Sequence, residues 1–355
     1  MEHKPLNLIY HEKTLFTVAF LMVLFTNAQT ILIVDNNSNI NTSPAHVFNT
    51  FSLAVAAAAN GDIIYVQPSE TAYGNVSINK ELTVYGIGHT PKMNAGRNAT
   101  FGSITISSSN VKLAGVESTT NLSITGTTSN VTIENNFLNN ISLSSAVTNN
   151  ITIQGNVIDG YILLHSTYNN SANVTITHNF FETTQLNAFS YFNSTTIFNN
   201  NLVVFSGTST QYPFYYPNDL VAQNNIFVST ASFNGTNWQG GGTPVLFNNC
   251  LTYSYNGVTL GALNGTGNFD NTNPQFTNIP GTNPVFNVTN DYTIGSGSLG
   301  TDGNDIGLFN GYYDFDMRGY PTLLPYLEAM TISNNMIPAG ADLQVNLKAN
   351  ANKTN

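Results

Sequence analysis

The chain has 355 residues, of which 8% are charged, and its 9 Lys and Arg against 19 Asp and Glu give a formal net charge of −10. An acidic, charge-poor surface repels phosphate backbones and anionic lipid headgroups, so the composition argues against nucleic acid and membrane surfaces as partners. Cys250 is the single cysteine, which excludes an intramolecular disulfide, so a packed core must stabilise the fold.

The N-terminal residues 1–28 have the pattern of a secretory signal peptide. An apolar run of 11 residues, 15–25, follows Lys4 and Lys13 and precedes the small-residue site Thr26-Asn27-Ala28. Such a run is short for a membrane span. We predict cleavage after Ala28, a secreted or cell-surface protein and no membrane insertion after cleavage, with an uncleaved anchor as the alternative.

Residues 51–60 have an Ala-rich helical pattern that Asn60-Gly61 would end. We expect this short helix to cap the N-terminal end of the strands that follow. From Ile63 onward the pattern is one of short strands and polar turns.

A repeated motif occupies the centre of the chain, in which a β-branched run precedes two polar residues and an apolar pair. Aligned on the last Asn, the copies are separated by 20, 23, 22, 24 and 24 residues, and they are 131–138, 151–158, 174–181, 196–203, 220–227 and 244–251. Apolar positions alternate with polar ones, as in strands. The period predicts an all-β parallel β-helix, a solenoid of about ten coils spaced ~4.8 Å apart, with the Asn residues forming a ladder.

This motif, V-T-I-x-N-N-x-[IFL], resembles right-handed parallel β-helix proteins of the pectate-lyase-like superfamily. Residues 51–68 and 78–88 resemble the opening of secreted members, and residues 291–309 resemble the closing coil. Because the pattern changes after Phe309, we predict a β-helix with its N-terminal cap at 29–309 and a C-terminal cap and tail at 310–355. The resemblance leaves the function open, because the superfamily includes lyases, hydrolases, esterases, adhesins and non-catalytic binders.

Acidic residues are the candidates for catalysis. No Lys or Arg occurs between Leu113 and Met317, which argues against the β-elimination of a pectate-type lyase. Asp159 and Glu182 each lie three residues after a ladder Asn in consecutive coils, so their backbones should be about 4.8 Å apart. With His178 in the same coil, the pair could cleave a glycoside as acid and base; alternatives are Ca²⁺ binding or two unrelated acids at an exposed turn. No cofactor is predicted otherwise.

Two irregular loops and one row of threonines are the candidates for substrate binding. The loops carry Tyr212, Tyr215, Tyr216 and Trp238, whose rings could stack on sugars, or could instead cover the core. The row of outward threonines comprises Thr132, Thr152 and Thr175 and should continue as Ile197, Val221 and Val245.

These features together predict a secreted monomer that engages extracellular polysaccharide. Binding with glycoside cleavage is one form of that function. The contrasting hypothesis is a non-catalytic adhesin or structural solenoid.

Overall fold

A computed structural model of the chain describes residues 29–351 except 94–95, 186, 208–211, 234, 236, 282, 323, 333–336, 338–339 and 341. The predicted signal peptide, residues 1–28, lies outside the described residues. Where the structure is described, no helix has the length and apolar character that crossing a membrane requires.

Strands dominate the structure. The helices are α1 (Phe51–Ala57) and a short 3₁₀ turn (Tyr168–Asn170). The strands are β1 (Ile31–Val34), β2 (Val47–Phe48), β3 (Ile63–Val66), β4 (Val76–Ile78), β5 (Thr83–Tyr85), β6 (Thr100–Phe101), β7 (Ile104–Ile106), β8 (Lys112–Ala114), β9 (Glu117–Glu134), β10 (Phe137–Gln154), β11 (Val157–Asp159), β12 (Ile162–Leu163), β13 (Ser171–Thr177), β14 (Phe180–Thr183), β15 (Phe189–Ser190), β16 (Ile197–Asn199), β17 (Leu202–Phe205), β18 (Phe214–Tyr215), β19 (Val221–Gln223), β20 (Ile226–Ser229), β21 (Gln239–Gly240), β22 (Leu246–Asn248), β23 (Leu251–Ser254), β24 (Gly265–Thr266), β25 (Pro325–Ile332) and β26 (Val345–Ala351).

The strands β1 to β24 form a parallel β-solenoid of about nine coils, which confirms the predicted fold class. Each coil contributes to three faces, which we call A, B and C in chain order. Face A contains β1, β3, β5, β8, β13, β16, β19, β22 and β24 with the last parts of β9 and β10. Face B contains β6, β11, β14, β17, β20 and β23, and face C contains β4, β7, β12, β15, β18 and β21, each with parts of β9 and β10.

The core follows from the alternation of apolar and polar residues in the repeats. On face A, every second residue points inward and stacks on its counterpart in the next coil, and removing these side chains from water is the main driving force for the fold. All members of this inward row are buried: Leu32, Ile64, Val84, Leu113, Ile133, Ile153, Ile176, Phe198, Ala222 and Phe247.

The helix α1 lies where the sequence predicted one. Thr50 caps its N-terminus, since the Thr50 side chain accepts a hydrogen bond from the backbone N–H of Leu53. Its buried face, Phe51, Ala54 and Val55, packs toward β1, β2 and β4 at the start of the solenoid.

The predicted Asn ladder is present at the turn between faces A and B. Its members are fully buried, and four Nδ2–Oδ1 hydrogen bonds of 3.0–3.1 Å link each carboxamide as donor to the next one along the chain: Asn136, Asn156, Asn179, Asn201 and Asn225. In the sixth repeat the structure differs from the sequence alignment by one residue, because Cys250, not Asn249, occupies the ladder position. The outward row of face A therefore ends at Leu246, which pairs with Val221, and Val245 is buried.

Residues 270–320, which we call the C-terminal arm, do not form the predicted closing coil. The arm runs back along the outside of face B and is held by the left-handed residues that precede ladder positions. The contacts are Asn249 Nδ2 to Leu299 O at 3.0 Å, Gly307 N to Asn224 O at 3.0 Å, His178 Nε2 to Asn310 O at 2.6 Å and Tyr313 Oη to Asn135 Oδ1 at 2.8 Å. A second apolar cluster lies beneath the arm, including Phe180, Leu202, Ile226, Tyr292 and Leu308. Beyond the arm, β25 and β26 pair antiparallel in a separate two-stranded sheet.

Candidate binding groove

The two predicted acids are neighbours, as the repeat spacing indicated. Asp159 on β11 pairs directly with Glu182 on β14 in the parallel ladder of face B. Their surroundings differ, because Asp159 is exposed whereas Glu182 is half-buried beside the arm and accepts a hydrogen bond from the Phe286 N–H at 3.3 Å. Burial, and then the charge of Asp159, raise the pKa of Glu182. Glu182 is thus occupied in holding the arm.

His178 lies in the structure where a catalytic role is disfavoured. The ring is fully buried, with Nδ1 at 2.8 Å from Thr177 Oγ1 and Nε2 at 2.6 Å from the Asn310 carbonyl. Burial lowers the pKa of His178. With both ring nitrogens engaged, the imidazole fastens the arm to the coil, and the predicted role as an acid or base for substrate stays a prediction.

A third carboxylate, Glu117, lies in the same groove as Asp159. The sequence pattern did not place these two residues together. Glu117 is half-buried and accepts hydrogen bonds from Asn98 Nδ2 at 2.6 Å and Thr100 Oγ1 at 2.9 Å. Burial raises the pKa of Glu117, although these two hydrogen bonds oppose the shift. Extending the repeat one coil upstream, to residues 111–118, would have placed Glu117 on the outer surface of face B.

A groove of about 500 Å³ lies between face B and the arm, with Glu117 and Asp159 both in its wall. The rings of Phe137 and Phe286 contribute apolar surface and contact each other edge to face at 6.2 Å. The remaining lining residues are Thr90, Ser118, Thr119, Asn139, Asn287 and Val288. This described lining contains two acids and no Lys or Arg, so the groove suits an uncharged ligand rich in hydroxyl groups.

His89 supports the apolar side of the groove from behind. Its buried ring contacts Phe137 and Phe286 edge to face at 5.9 and 5.7 Å, and Nδ1 lies 3.0 Å from Thr90 Oγ1. Burial lowers the pKa of His89 to about 3, so the imidazole is neutral at ordinary pH. The two phenylalanine rings are therefore fixed by an uncharged partner.

Trp238 is buried in the apolar core. Its side chain is 6% exposed, packs among Phe205, Phe227 and Phe233, and donates from Nε1 to the Gly261 carbonyl at 2.8 Å. This position agrees with the alternative in which the ring covers the core, and the predicted role in substrate binding stays a prediction.

The predicted tyrosines and threonines lie on other surfaces than the acids. Tyr212 is half-buried against Gly240, whereas Tyr215 and Tyr216 lie at the corner between faces C and A. The threonines form the half-buried outward row of face A: Thr132, Thr152 and Thr175. The acids, the tyrosines and the threonines thus lie on three different parts of the solenoid surface.

No protein family model matches the chain, and no curated protein matches its sequence. Within the described residues, no group of three or more His, Cys, Asp or Glu is placed to hold a metal ion. The geometry of the groove is therefore the basis for any assignment of function.

Proposed function

We propose that this chain is an extracellular protein that binds a neutral polysaccharide in the groove beside the C-terminal arm. The main support for this proposal is the lining of the groove. Carboxylate, amide and hydroxyl groups surround two phenylalanine rings there, in a space of about 500 Å³. That volume falls in the range of small-molecule sites, ~300–1,000 Å³. Sugars offer hydroxyl groups to such acceptors and apolar C–H faces to such rings. The predicted signal peptide supports the location outside the cell.

Charge supports a neutral polymer over an acidic one. Uronic acids would bring carboxylates next to Glu117 and Asp159, and like charges at close range repel. Residues 113–317 contain no Lys or Arg to compensate for that repulsion.

Binding is favoured over cleavage because two of the three acids already accept hydrogen bonds from the protein. Glu117 accepts from Asn98 and Thr100. Retaining glycosidases hold their two carboxyl groups about 5–5.5 Å apart, and both groups must be available to the substrate. The closer pair, Asp159 and Glu182, has the shorter spacing, but Glu182 is bound to the arm.

Affinity electrophoresis through gels that contain neutral glucans, xylans or mannans, or polygalacturonate, tests this proposal. We expect retardation by a neutral polymer, and a loss of affinity of roughly 10-fold in Phe137→Ala and in Asp159→Ala, since each removes a direct contact. Asp342→Asn, which removes one negative charge on an exposed residue outside the groove, is the matched control, and the polymer should retard it as much as the parent relative to a gel without polymer.

Retardation that survives both groove substitutions would refute the groove as the binding site. Release of reducing ends from the bound polymer, lost in Asp159→Asn and in Glu182→Gln, would show instead that the closer pair cleaves glycosides.

One observation favours the adhesin or structural alternative. The outward row of face A ends in three exposed aliphatic side chains on adjacent strands, Ile197, Val221 and Leu246, which are 48%, 38% and 47% exposed. Contiguous exposed apolar surface is typical of protein contacts. Under this alternative, no polysaccharide retards the protein, and sedimentation shows self-association that Val221→Lys abolishes.

A further inference from the structure

Four tyrosines from three consecutive coils meet at the corner between faces C and A, away from the groove. We call this cluster, Tyr168, Tyr191, Tyr215 and Tyr216, the tyrosine ridge. The rings of Tyr191 and Tyr216 are stacked at 6.1 Å with an interplanar angle of 20°, and Tyr215 stands perpendicular to Tyr216 at 4.6 Å. Tyr168 is tilted against Tyr191 at 6.5 Å and donates from its hydroxyl to the Tyr216 carbonyl at 3.1 Å.

Two tyrosines of the ridge have backbone conformations that bulky residues rarely adopt. Tyr191 and Tyr216 have φ of 63° and 48°, the left-handed region, and the equivalent residue of the next coil is Gly241, with φ of 71°. A bulky L-residue pays a steric penalty there that Gly and Asn largely avoid. Elsewhere in the described chain, most non-glycine residues with positive φ are Asn. Strained backbone of this kind clusters at ligand-binding sites, so the two rings are candidates for contact with a ligand.

The ridge is held in one conformation yet remains accessible. Gly241 lies directly against the Tyr216 ring, because a Cβ atom there would come within 2.8 Å of it. Tyr216 is nevertheless 43% exposed, and Tyr191 and Tyr215 are half-buried. Among the described residues, no hydrogen-bond partner meets the hydroxyl groups of these three tyrosines. Three phenol hydroxyls are thus fixed in position and open to a ligand.

The chemistry around the ridge identifies the kind of ligand. The exposed residues next to Tyr168 in the chain, Ser166, Thr167 and Asn169, are polar and uncharged, and Asp219, three residues after Tyr216, is acidic. Aromatic rings next to hydroxyl and amide groups match the C–H faces and hydroxyls of a sugar. The absence of Lys and Arg from residues 113–317 again favours a neutral polymer over an anionic one.

We propose that the tyrosine ridge is a second binding site for a neutral glycan, separate from the groove, in which Tyr191, Tyr215 and Tyr216 contact the sugar. This inference extends the proposed function to a second surface, but it rests on different residues. Two separated sites on one solenoid would raise the apparent affinity for a polymer long enough to reach both.

The test exploits the strained backbone. Tyr216→Asn keeps a residue type that this chain uses at positive φ while removing the ring, and Tyr215→Ala removes the second ring from an ordinary strand. We expect each variant to lose roughly 3- to 10-fold in affinity for the neutral polymer, by calorimetric titration with the glucan, xylan or mannan that retards the parent. The melting temperature of Tyr216→Asn should stay within a few degrees of the parent, because relief of the strain offsets the lost packing.

Tyr65→Ala is the matched control, since Tyr65 and Tyr85 form another stacked pair at 5.8 Å in extended strands of face A. Its affinity should equal that of the parent. Unchanged affinity in both ridge variants would overturn the proposal, as would a ridge variant that only lowers stability. A parent that self-associates until Tyr216→Asn makes it monomeric would show a protein interface instead and would also overturn it.

The two proposals fail separately. Loss of affinity in the groove variants alone supports the groove and rejects the ridge. Loss in the ridge variants alone does the reverse, and free migration of the parent through every gel rejects both.

Discussion

The Asn ladder gives the sharpest prediction about stability, and Asn179 at its centre is the residue to change. Five hydrogen bonds involve its carboxamide. Its Oδ1 accepts from the Asn156 N–H and Nδ2 at 3.0 Å, and its Nδ2 donates to Ile153 O at 2.9 Å, Thr177 O at 3.0 Å and Asn201 Oδ1 at 3.1 Å. All of these groups lie where water cannot replace the missing partner.

Asn179→Ala should cost about 4 kcal/mol of unfolding free energy. The backbone N–H of Asn156 loses its side-chain acceptor, and a buried donor without a partner costs roughly 1–3 kcal/mol. The other four bonds contribute about 1 kcal/mol each at most, and several of their groups keep other partners, as Asn156 Nδ2 keeps the carbonyls of Ile133 and Gln154. With about 2–3 kcal/mol in total from those four bonds, the sum lies between about 3 and 6 kcal/mol, a large share of the stability of an ordinary domain.

Urea unfolding followed by circular dichroism measures this loss. Asn199→Ala is the matched control, because Asn199 is half-buried two residues before a ladder position and its carboxamide accepts one hydrogen bond, from the Gln223 N–H at 3.2 Å. We expect the control to lose about 1 kcal/mol or less. A loss below about 1 kcal/mol in Asn179→Ala, or equal losses in both variants, would refute the argument that the ladder stabilises the coils.

Two further predictions concern buried groups. The pKa of His89 is about 3 in the folded chain and 6.5 in the unfolded chain. The free energy of unfolding therefore does not depend on His89 above pH 6.5, and it falls by about 1.4 kcal/mol per pH unit between pH 6.5 and pH 3. Unfolding at pH 7 and pH 5 should show about 2 kcal/mol less pH-dependent loss in His89→Gln than in the parent, and equal slopes would contradict the burial argument. Cys250→Asn should raise the urea midpoint, because a carboxamide would replace the weak acceptor Sγ, 3.9 Å from Asn225 Nδ2. A lower midpoint would show that the site cannot hold the larger side chain.

The coils were predictable because their stabilising interactions repeat with the sequence. Each copy of the motif supplies the same inward apolar residues and the same buried Asn, so one alignment yields the strands, the stacking of Asp159 on Glu182 and the ladder. The alignment was wrong by one residue at Cys250, because the pair Asn248-Asn249 suggested a ladder position that the structure gives to the next residue. Chemical similarity alone could not choose between these two registers.

The candidate sites were less predictable, because they combine residues far apart in the chain. Phe286 comes from the arm, and no pattern in the sequence indicates that the segment after the last coil covers face B. Glu117 lies in the coil before the first aligned copy of the motif, so the alignment did not place it beside Asp159. Tyr191 has no aromatic pattern around it that sets it apart, and its importance emerges from φ and from the stacking on Tyr216.

The sequence by itself determined that this chain is a parallel solenoid with a buried Asn ladder and an acidic, cation-poor surface. Those properties depend on local alternation and on a fixed period, which a linear pattern records. The tertiary structure alone decided that Trp238 belongs to the core, that His178 fastens the arm and that the groove and the ridge lie on different surfaces. Such features depend on where a non-repeating segment packs, and that is set by the shape and apolar surface of the assembled coils.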